Sequence, residues 1–185
     1  MRIAVSDLLF PGFRKFGVRP LNTEYGIEFF YEFGHDYYWD EETAAWGNRE
    51  FSIHGPCVAV DLADKDNLNY LPAFEATFKY AQKINSQFVV VHTNECLPAD
   101  KEAGQELVIS RLAELLDMAK AYGVTLVIEN VGLRTKGNVL FTLEEYYALF
   151  ERFPQAMSLI DTGHAHVNGW DIPAVVEKLC DKLFA

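Results

Sequence analysis

The sequence predicts an α/β domain whose sheet is built from parallel strands. Short apolar runs alternate with segments of helical period along all 185 residues. The runs are nearly continuous in Val, Ile, Leu and Phe, as expected for parallel strands covered on both faces. No linker or low-complexity segment interrupts the alternation, so we expect residues 1–185 to form one domain.

Six apolar runs predict six strands, at residues 2–6, 26–30, 51–56 with its terminating loop, 88–92, 124–130 and 157–160. The aromatic segment 31–46 has no clear period and is interpreted as a long loop that includes at most one helical turn. Asn130, at the end of the fifth run, is either a hydrogen-bond donor to a substrate or a turn residue, and the second interpretation is favoured. The sixth run ends abruptly in an acid, and a glycine two residues later predicts that the chain turns off the sheet.

Helices are predicted between the strands. Apolar residues three and four positions apart indicate amphipathic helices at 71–81 and 108–122, with Gly123 as a cap for the second. Thr142 and Glu145 have the spacing of a capping box, which predicts a helix that ends before Pro154. Asp171 begins a last helix.

Ionisable residues stand at the carboxyl ends of four successive strands. The third run ends at His54, the fourth at His92 and the fifth at Glu129. The sixth ends at Asp161, with His164 three residues later. Because the βα loops meet at this edge of a parallel sheet, we expect these side chains to form one site. An ionisable group flanked by buried apolar residues needs a partner, a metal ion or a substrate.

The stretch from Asp161 to His164 supports two interpretations. A turn at Thr162-Gly163 would bring the carboxylate and the imidazole to one point, where they suit a divalent metal ion. Alternatively, Asp161 caps the next helix and His164 packs in the core.

Other arrangements are less well supported. Two histidines and two cysteines could form a closed tetrahedral zinc site if two loops fold onto one ion; they are His54, Cys57, His92 and Cys96. No Gly-x-Ser-x-Gly elbow indicates a serine nucleophile. No Gly-x-Gly-x-x-Gly motif or P-loop indicates nucleotide binding.

Composition narrows the possible partners and the compartment. The formal net charge of -11, without a cluster of Lys and Arg, disfavours a nucleic-acid partner. No apolar run reaches the roughly 18 residues needed to cross a membrane, so no membrane partner is expected. The 3 cysteines are widely spaced and are interpreted as free thiols, which predicts a cytoplasmic location.

The order and spacing of residues 51–56, 89–92, 122–130 and 159–164 resemble the xylose isomerase-like TIM barrel superfamily, in particular its sugar phosphate isomerase/epimerase group. The resemblance implies a parallel (β/α) barrel with a divalent metal ion, Mn, Mg, Co or Zn, at its mouth. It implies that Glu129, Asp161 and His164 bind the metal ion. It further implies that Glu129 and His164 are catalytic, and that His54, His92 and His164 contact the substrate.

The activity implied by the resemblance is isomerisation or epimerisation of a small sugar or sugar phosphate, with proton transfer through a metal-bound enediolate. Glu129 is the expected base, and Phe10, Phe30 and Trp170 are candidates for the pocket wall. A hydrolase of the abasic-site endonuclease type is an alternative, because those enzymes share the superfamily. Acidic residues expected in the mouth loops disfavour it; they are Asp7, Glu28, Asp36, Asp40, Glu41, Glu42 and Glu95.

The number of strands differs from that of a complete barrel. The sequence supplies six of the eight strand–helix units, so we expect a C-terminally incomplete barrel in which residues 183–185 stand where a seventh strand would begin. An open parallel edge invites association, which predicts a homo-oligomer. A third interpretation is therefore a non-catalytic barrel fragment.

Overall fold

A computed structural model describes residues 3–9, 18–32 and 34–185. Six parallel strands form one sheet in the order of the chain, which confirms the predicted α/β class. The strands are β1 (Ala4–Ser6), β2 (Gly26–Phe30), β3 (Phe51–His54), β4 (Val89–Val91), β5 (Leu126–Glu129) and β6 (Met157–Leu159). Arg2, predicted in the first strand, lies outside the described residues.

Helices follow most of the strands. They are α1 (Asp36–Trp46), α2 (Tyr70–Ile84), α3 (Lys101–Tyr122), α4 (Leu143–Arg152), α5 (Thr162–Asn168) and α6 (Ile172–Lys178). The predicted caps are confirmed: Thr142 and Glu145 form a complete capping box, and Gly123 ends α3 with a φ of 68°. Asp171 accepts a hydrogen bond from the backbone of α6.

The prediction of a long loop over residues 31–46 is wrong, because α1 occupies its second part. The buried residues of α1 are Trp39, Glu42 and Trp46, which are three and four positions apart. The sequence does not show this period clearly, because one of the three buried positions is occupied by a charged residue, Glu42. Its carboxylate forms an ion pair with Arg19 at 3.0 Å. Several acids expected in mouth loops therefore lie on α1, and Asp40 pairs with a lysine of α2 at 2.7 Å.

The two faces of the sheet have different surroundings. Ile53 and Ile128 belong to the core that packs against the helices. Neighbouring residues on a strand point to opposite faces, so Ser52, His54 and Glu129 point away from the helices. Ser52 lines a cavity of about 610 Å³ inside the curved sheet, toward the amino ends of the strands. The candidate site lies at the opposite, carboxyl end.

The last residues pair with β6. The amide of Phe184 donates to the carbonyl of Ser158 at 2.8 Å, and the amide of Ile160 donates to the carbonyl of Ala185 at 3.0 Å. The pairing of Leu183 with Ser158 is parallel, as expected for the first residues of a seventh barrel strand. In the described ranges, β1 pairs with β2 alone.

The state of the cysteines agrees with the prediction made from composition. All three cysteines are free thiols, with Cys57 buried and both Cys96 and Cys180 exposed. Among the described residues, no helix combines the length and the apolar character needed to cross a membrane.

Candidate metal site

Glu129 is at the centre of the polar residues that end the strands. Its Oε2 atom lies 3.1 Å from Nε2 of His92 and 3.6 Å from Nε2 of His54. Its Oε1 atom lies 3.6 Å from Nδ1 of His164. The fold therefore brings together residues that end β3, β4, β5 and β6, as the sequence predicted for this edge of the sheet.

Burial and hydrogen bonding act in opposite directions on Glu129. The residue is 6% exposed, and burial alone would raise the pKa of its carboxyl group. The hydrogen bonds and charges of His54 and His92 outweigh burial and hold this pKa well below its usual range. Burial would lower the pKa of His92, but hydrogen bonds to Glu129 and Glu95 raise it to about 9. Glu129 is thus a carboxylate at neutral pH.

The two imidazole rings present the same nitrogen to Glu129. Nδ1 of His54 lies 2.9 Å from the carbonyl oxygen of Gly55, and Nδ1 of His92 lies 2.6 Å from Oε1 of Glu95. These contacts retain the Nδ1 protons and leave Nε2 of each ring for another partner. The two Nε2 atoms face each other at 3.0 Å. Two ring nitrogens at this distance are stabilised either by a proton shared between them or by a cation bound to both.

Asp161 begins α5, and its Oδ1 atom accepts a hydrogen bond from the amide of His164 at 2.6 Å. The turn expected at Thr162-Gly163 is therefore the first turn of a helix. Residues three apart lie on one side of a helix, which explains why Asp161 and His164 meet. Asp161 can cap α5 and bind a metal ion at the same time. Its Oδ1 atom accepts the hydrogen bond of the cap, and the second carboxylate oxygen is left to bind the ion.

The side chains of Glu129, Asp161 and His164 fit a divalent metal ion. Each offers one ligand atom, and these atoms lie within 4.8 Å of one another. Two carboxylates and an imidazole suit the predicted cations, Mn²⁺, Mg²⁺, Co²⁺ and Zn²⁺. Carboxylates this close repel each other unless a cation or a proton lies between them. Three protein ligands also leave coordination positions open for a substrate.

The four-residue zinc arrangement predicted as an alternative does not form. His54, Cys57 and His92 bring their ligand atoms within 4.8 Å of one another. Cys96 is not in this group; it is exposed, and its amide donates to Oδ2 of Asp61 at 3.0 Å. The loop after β4 therefore carries Cys96 to the surface instead of folding it back toward His92.

Three residues that support the site were not identified from the sequence. The side chain of Asn130, interpreted as a turn residue, bonds to the amide and the carbonyl of Asp161 at 2.6 and 3.1 Å and joins the ends of β5 and β6. Glu95 orients His92. Glu32 accepts hydrogen bonds from three successive amides, those of Cys57, Val58 and Ala59. Glu32 and Asn130 act on distant segments, so the local sequence carries no signal for their roles.

The aromatic residues predicted to line the pocket have different environments. Phe30 stacks on the ring of His54, with centroids 3.8 Å apart and an angle of 10° between the planes. Trp170 packs against Tyr146 with centroids 5.8 Å apart. Phe10 lies outside the described residues. Of the two candidates that the structure describes, Phe30 therefore contacts a residue of the site.

The sequence matches the family described as xylose isomerase-like TIM barrel over residues 26–185. A search of curated proteins gave no significant match. Solved structures with a similar fold include a D-tagatose 3-epimerase-like protein, with a TM-score of 0.80 and 19% identity over 99% of this chain and 73% of that one. The match and the superposition confirm the predicted superfamily and barrel type.

Two further structures represent different activities on this fold. A 3-keto-D-glucoside 4-epimerase from E. coli has a TM-score of 0.74 and 15% identity, over 99% of this chain and 76% of that one. A family 2 AP endonuclease from Brucella melitensis has a TM-score of 0.70 and 17% identity, over 85% of this chain and 66% of that one. At these identities the likeness establishes the fold.

Proposed function

The chain belongs to the xylose isomerase-like TIM barrel family, and we propose that it is a divalent-metal-dependent isomerase or epimerase of a small sugar or sugar phosphate. The observation that carries this proposal is the convergence of Glu129, Asp161 and His164, whose ligand atoms lie within 4.8 Å of one another. These residues stand at the carboxyl ends of β5 and β6, the edge at which TIM barrels build their active sites.

Glu129, Asp161 and His164 would hold the metal ion. A bound divalent cation supplies a Lewis acid that polarises the carbonyl and hydroxyl oxygens of a sugar. Asn130 keeps Asp161 in place through its two backbone hydrogen bonds, and the cap of α5 fixes the Asp161 carboxylate. The protein therefore fixes the carboxylates of two different strands before any ligand arrives.

Glu129 is the group that we assign to proton removal from the carbon next to the sugar carbonyl. It is ionised at neutral pH, in the form that accepts a proton. His92 and His54 hold one carboxylate oxygen at 3.1 and 3.6 Å, while the other oxygen faces His164. The carboxylate is thus oriented by histidines on both sides.

The three histidines differ in how well they can reach a substrate. The side chain of His164 is 27% exposed, whereas those of His92 and His54 are 15% and 8% exposed. We therefore assign His164 to the substrate hydroxyl next to the reacting carbon. His54 and His92 would contact the substrate from deeper in the site, next to the Oε2 atom of Glu129.

An assay of substrate classes tests the proposal directly. The metal-stripped chain is mixed with Mn²⁺, Mg²⁺, Co²⁺ or Zn²⁺ and with a panel of sugars that includes D-tagatose, D-psicose, L-ribulose and sugar phosphates. The three free sugars follow the names of structurally similar proteins, and the sugar phosphates follow the resemblance stated for the sequence. We expect epimerisation of at least one sugar, loss of turnover with a chelator, and recovery when the cation is returned.

The control reaction is nicking of a duplex that contains an abasic site. The structural likeness to an AP endonuclease motivates this control, and the net charge of -11 opposes duplex binding. Metal-dependent nicking without sugar turnover would replace the epimerase proposal with an endonuclease. A chain that turns over neither substrate with any of the four cations would contradict both activities.

A further inference from the structure

The interior of the curved sheet carries polar side chains between the candidate metal site and the amino ends of the strands. Ser6 of β1, Glu28 of β2 and Ser52 of β3 are neighbours in register, so they point to the same face of the sheet. Bulky branched apolar residues usually fill the interior of a TIM barrel. These three side chains instead border a cavity of about 610 Å³, a volume typical of small-molecule sites.

Ser52 has an unsatisfied hydroxyl group in this cavity. The residue is 3% exposed, and its Oγ atom has no hydrogen-bond partner among the described residues. Buried polar groups without a partner are rare in folded proteins, because they lose their hydrogen bonds to water. Since Ser52 lines the cavity, a ligand bound there can supply the missing hydrogen bond.

The charge of the cavity favours a cation. The described residues that line it include two acids, Glu28 and Glu50, and no lysine, arginine or histidine. Burial raises the pKa of the Glu28 carboxyl group; the charge of His54 opposes this effect, and that of Glu129 adds to it. The surroundings therefore stabilise the ionised form of Glu28 only in part, and a positively charged ligand would stabilise it further.

The cavity also has an apolar end. The rings of Phe88 and Phe184 pack edge to face there, with centroids 5.3 Å apart and an angle of 71° between the planes. Ile3 and Phe184 line the same cavity and are 55% and 44% exposed, so the apolar end is open to solvent. Aromatic faces attract cations as well as other aromatic rings. The cavity thus combines carboxylates with an accessible aromatic surface.

We propose that this cavity binds a small organic cation, namely a primary ammonium group attached to an apolar body. The ammonium group would pair with the Glu28 carboxylate and donate to Oγ of Ser52. One group can reach both, because adjacent strands lie roughly 4.8 Å apart and an ammonium has three donors. The body would lie against Phe88 and Phe184. This site is separate from the sugar site proposed at the carboxyl ends of the strands, so the two ligands do not compete for the same residues.

Calorimetric titration of the chain with 2-phenylethylamine at neutral pH tests the proposal. We expect binding of the amine and at least about tenfold weaker binding of 2-phenylethanol, which has the same body without the charge. Glu28→Gln should weaken amine binding at least about tenfold, and Ser52→Ala by about two- to tenfold. The matched control is Glu144→Gln, at an exposed position of α4, which should bind the amine unchanged.

The unmodified chain alone can contradict the proposal, through no heat of binding for the amine or equal affinity for the amine and the alcohol. Unchanged amine binding by folded Glu28→Gln would also overturn it. Asp161→Asn removes a carboxylate from the candidate metal site, and we expect it to bind the amine unchanged. Equal weakening by Asp161→Asn and Glu28→Gln would place the amine at the metal site and reject the cavity. The readout does not depend on sugar turnover, so the two proposals can fail separately.

Discussion

Glu129→Gln is expected to lower kcat/KM for sugar turnover by about 10²- to 10⁴-fold, the range associated with a general base. The substitution keeps the size and shape of the side chain but removes the charge that would accept the proton and bind the cation. It also removes one of the two carboxylates that raise the pKa of His92, the other being that of Glu95. The measurement is steady-state kinetics with the sugar identified in the substrate panel.

The matched control for this substitution is Glu144→Gln, because Glu144 is exposed on α4. We expect Glu144→Gln to have the activity of the unmodified chain. Circular dichroism should show that both variants fold. Near-normal turnover by folded Glu129→Gln would reject Glu129 as the base.

Arg111→Met is expected to destabilise the fold by roughly 2–3 kcal/mol, because it removes the buried guanidinium group that donates to four carbonyl groups of one loop, of which that of Leu62 is buried. Arg111 is 3% exposed and donates to the carbonyl oxygens of Leu62 and Asp64 at 3.1 and 2.7 Å, and to two others at longer distance. Its guanidinium group also lies 4.4 Å from the centre of the Tyr70 ring. Urea unfolding measures the loss.

The control for Arg111→Met is Lys120→Met, which also removes a positive charge from α3 but at an exposed position. We expect Lys120→Met to change the unfolding free energy by less than about 0.5 kcal/mol. Equal unfolding midpoints for the two variants would show that the buried hydrogen bonds of Arg111 contribute nothing to stability.

The features predicted well from the sequence depend on local patterns. Buried parallel strands appear as apolar runs, and a polar residue that ends such a run is visible without knowledge of its partners. This is why the positions of His54, His92 and Glu129 at one edge followed from the sequence. The capping box at Thr142 and Glu145 was predictable for the same reason, because both of its hydrogen bonds lie within one turn.

The features missed depend on contacts between distant segments. Glu42 is buried because Arg19 pairs with it, and without that contact α1 has no recognisable period. Asn130 supports Asp161, which is 31 residues away. Glu32 holds a loop that begins 25 residues later. The carboxylate of Asp161 has two roles, and the sequence suggested both without showing that they are compatible.

The most direct test of the account is diffraction from crystals soaked in Mn²⁺, with the cation located by its anomalous scattering. The account predicts a peak within roughly 2.0–2.6 Å of a carboxylate oxygen of Glu129 and one of Asp161. A chain that holds Mn²⁺ elsewhere, or that keeps these two carboxyl groups apart with no ion between them, would contradict it.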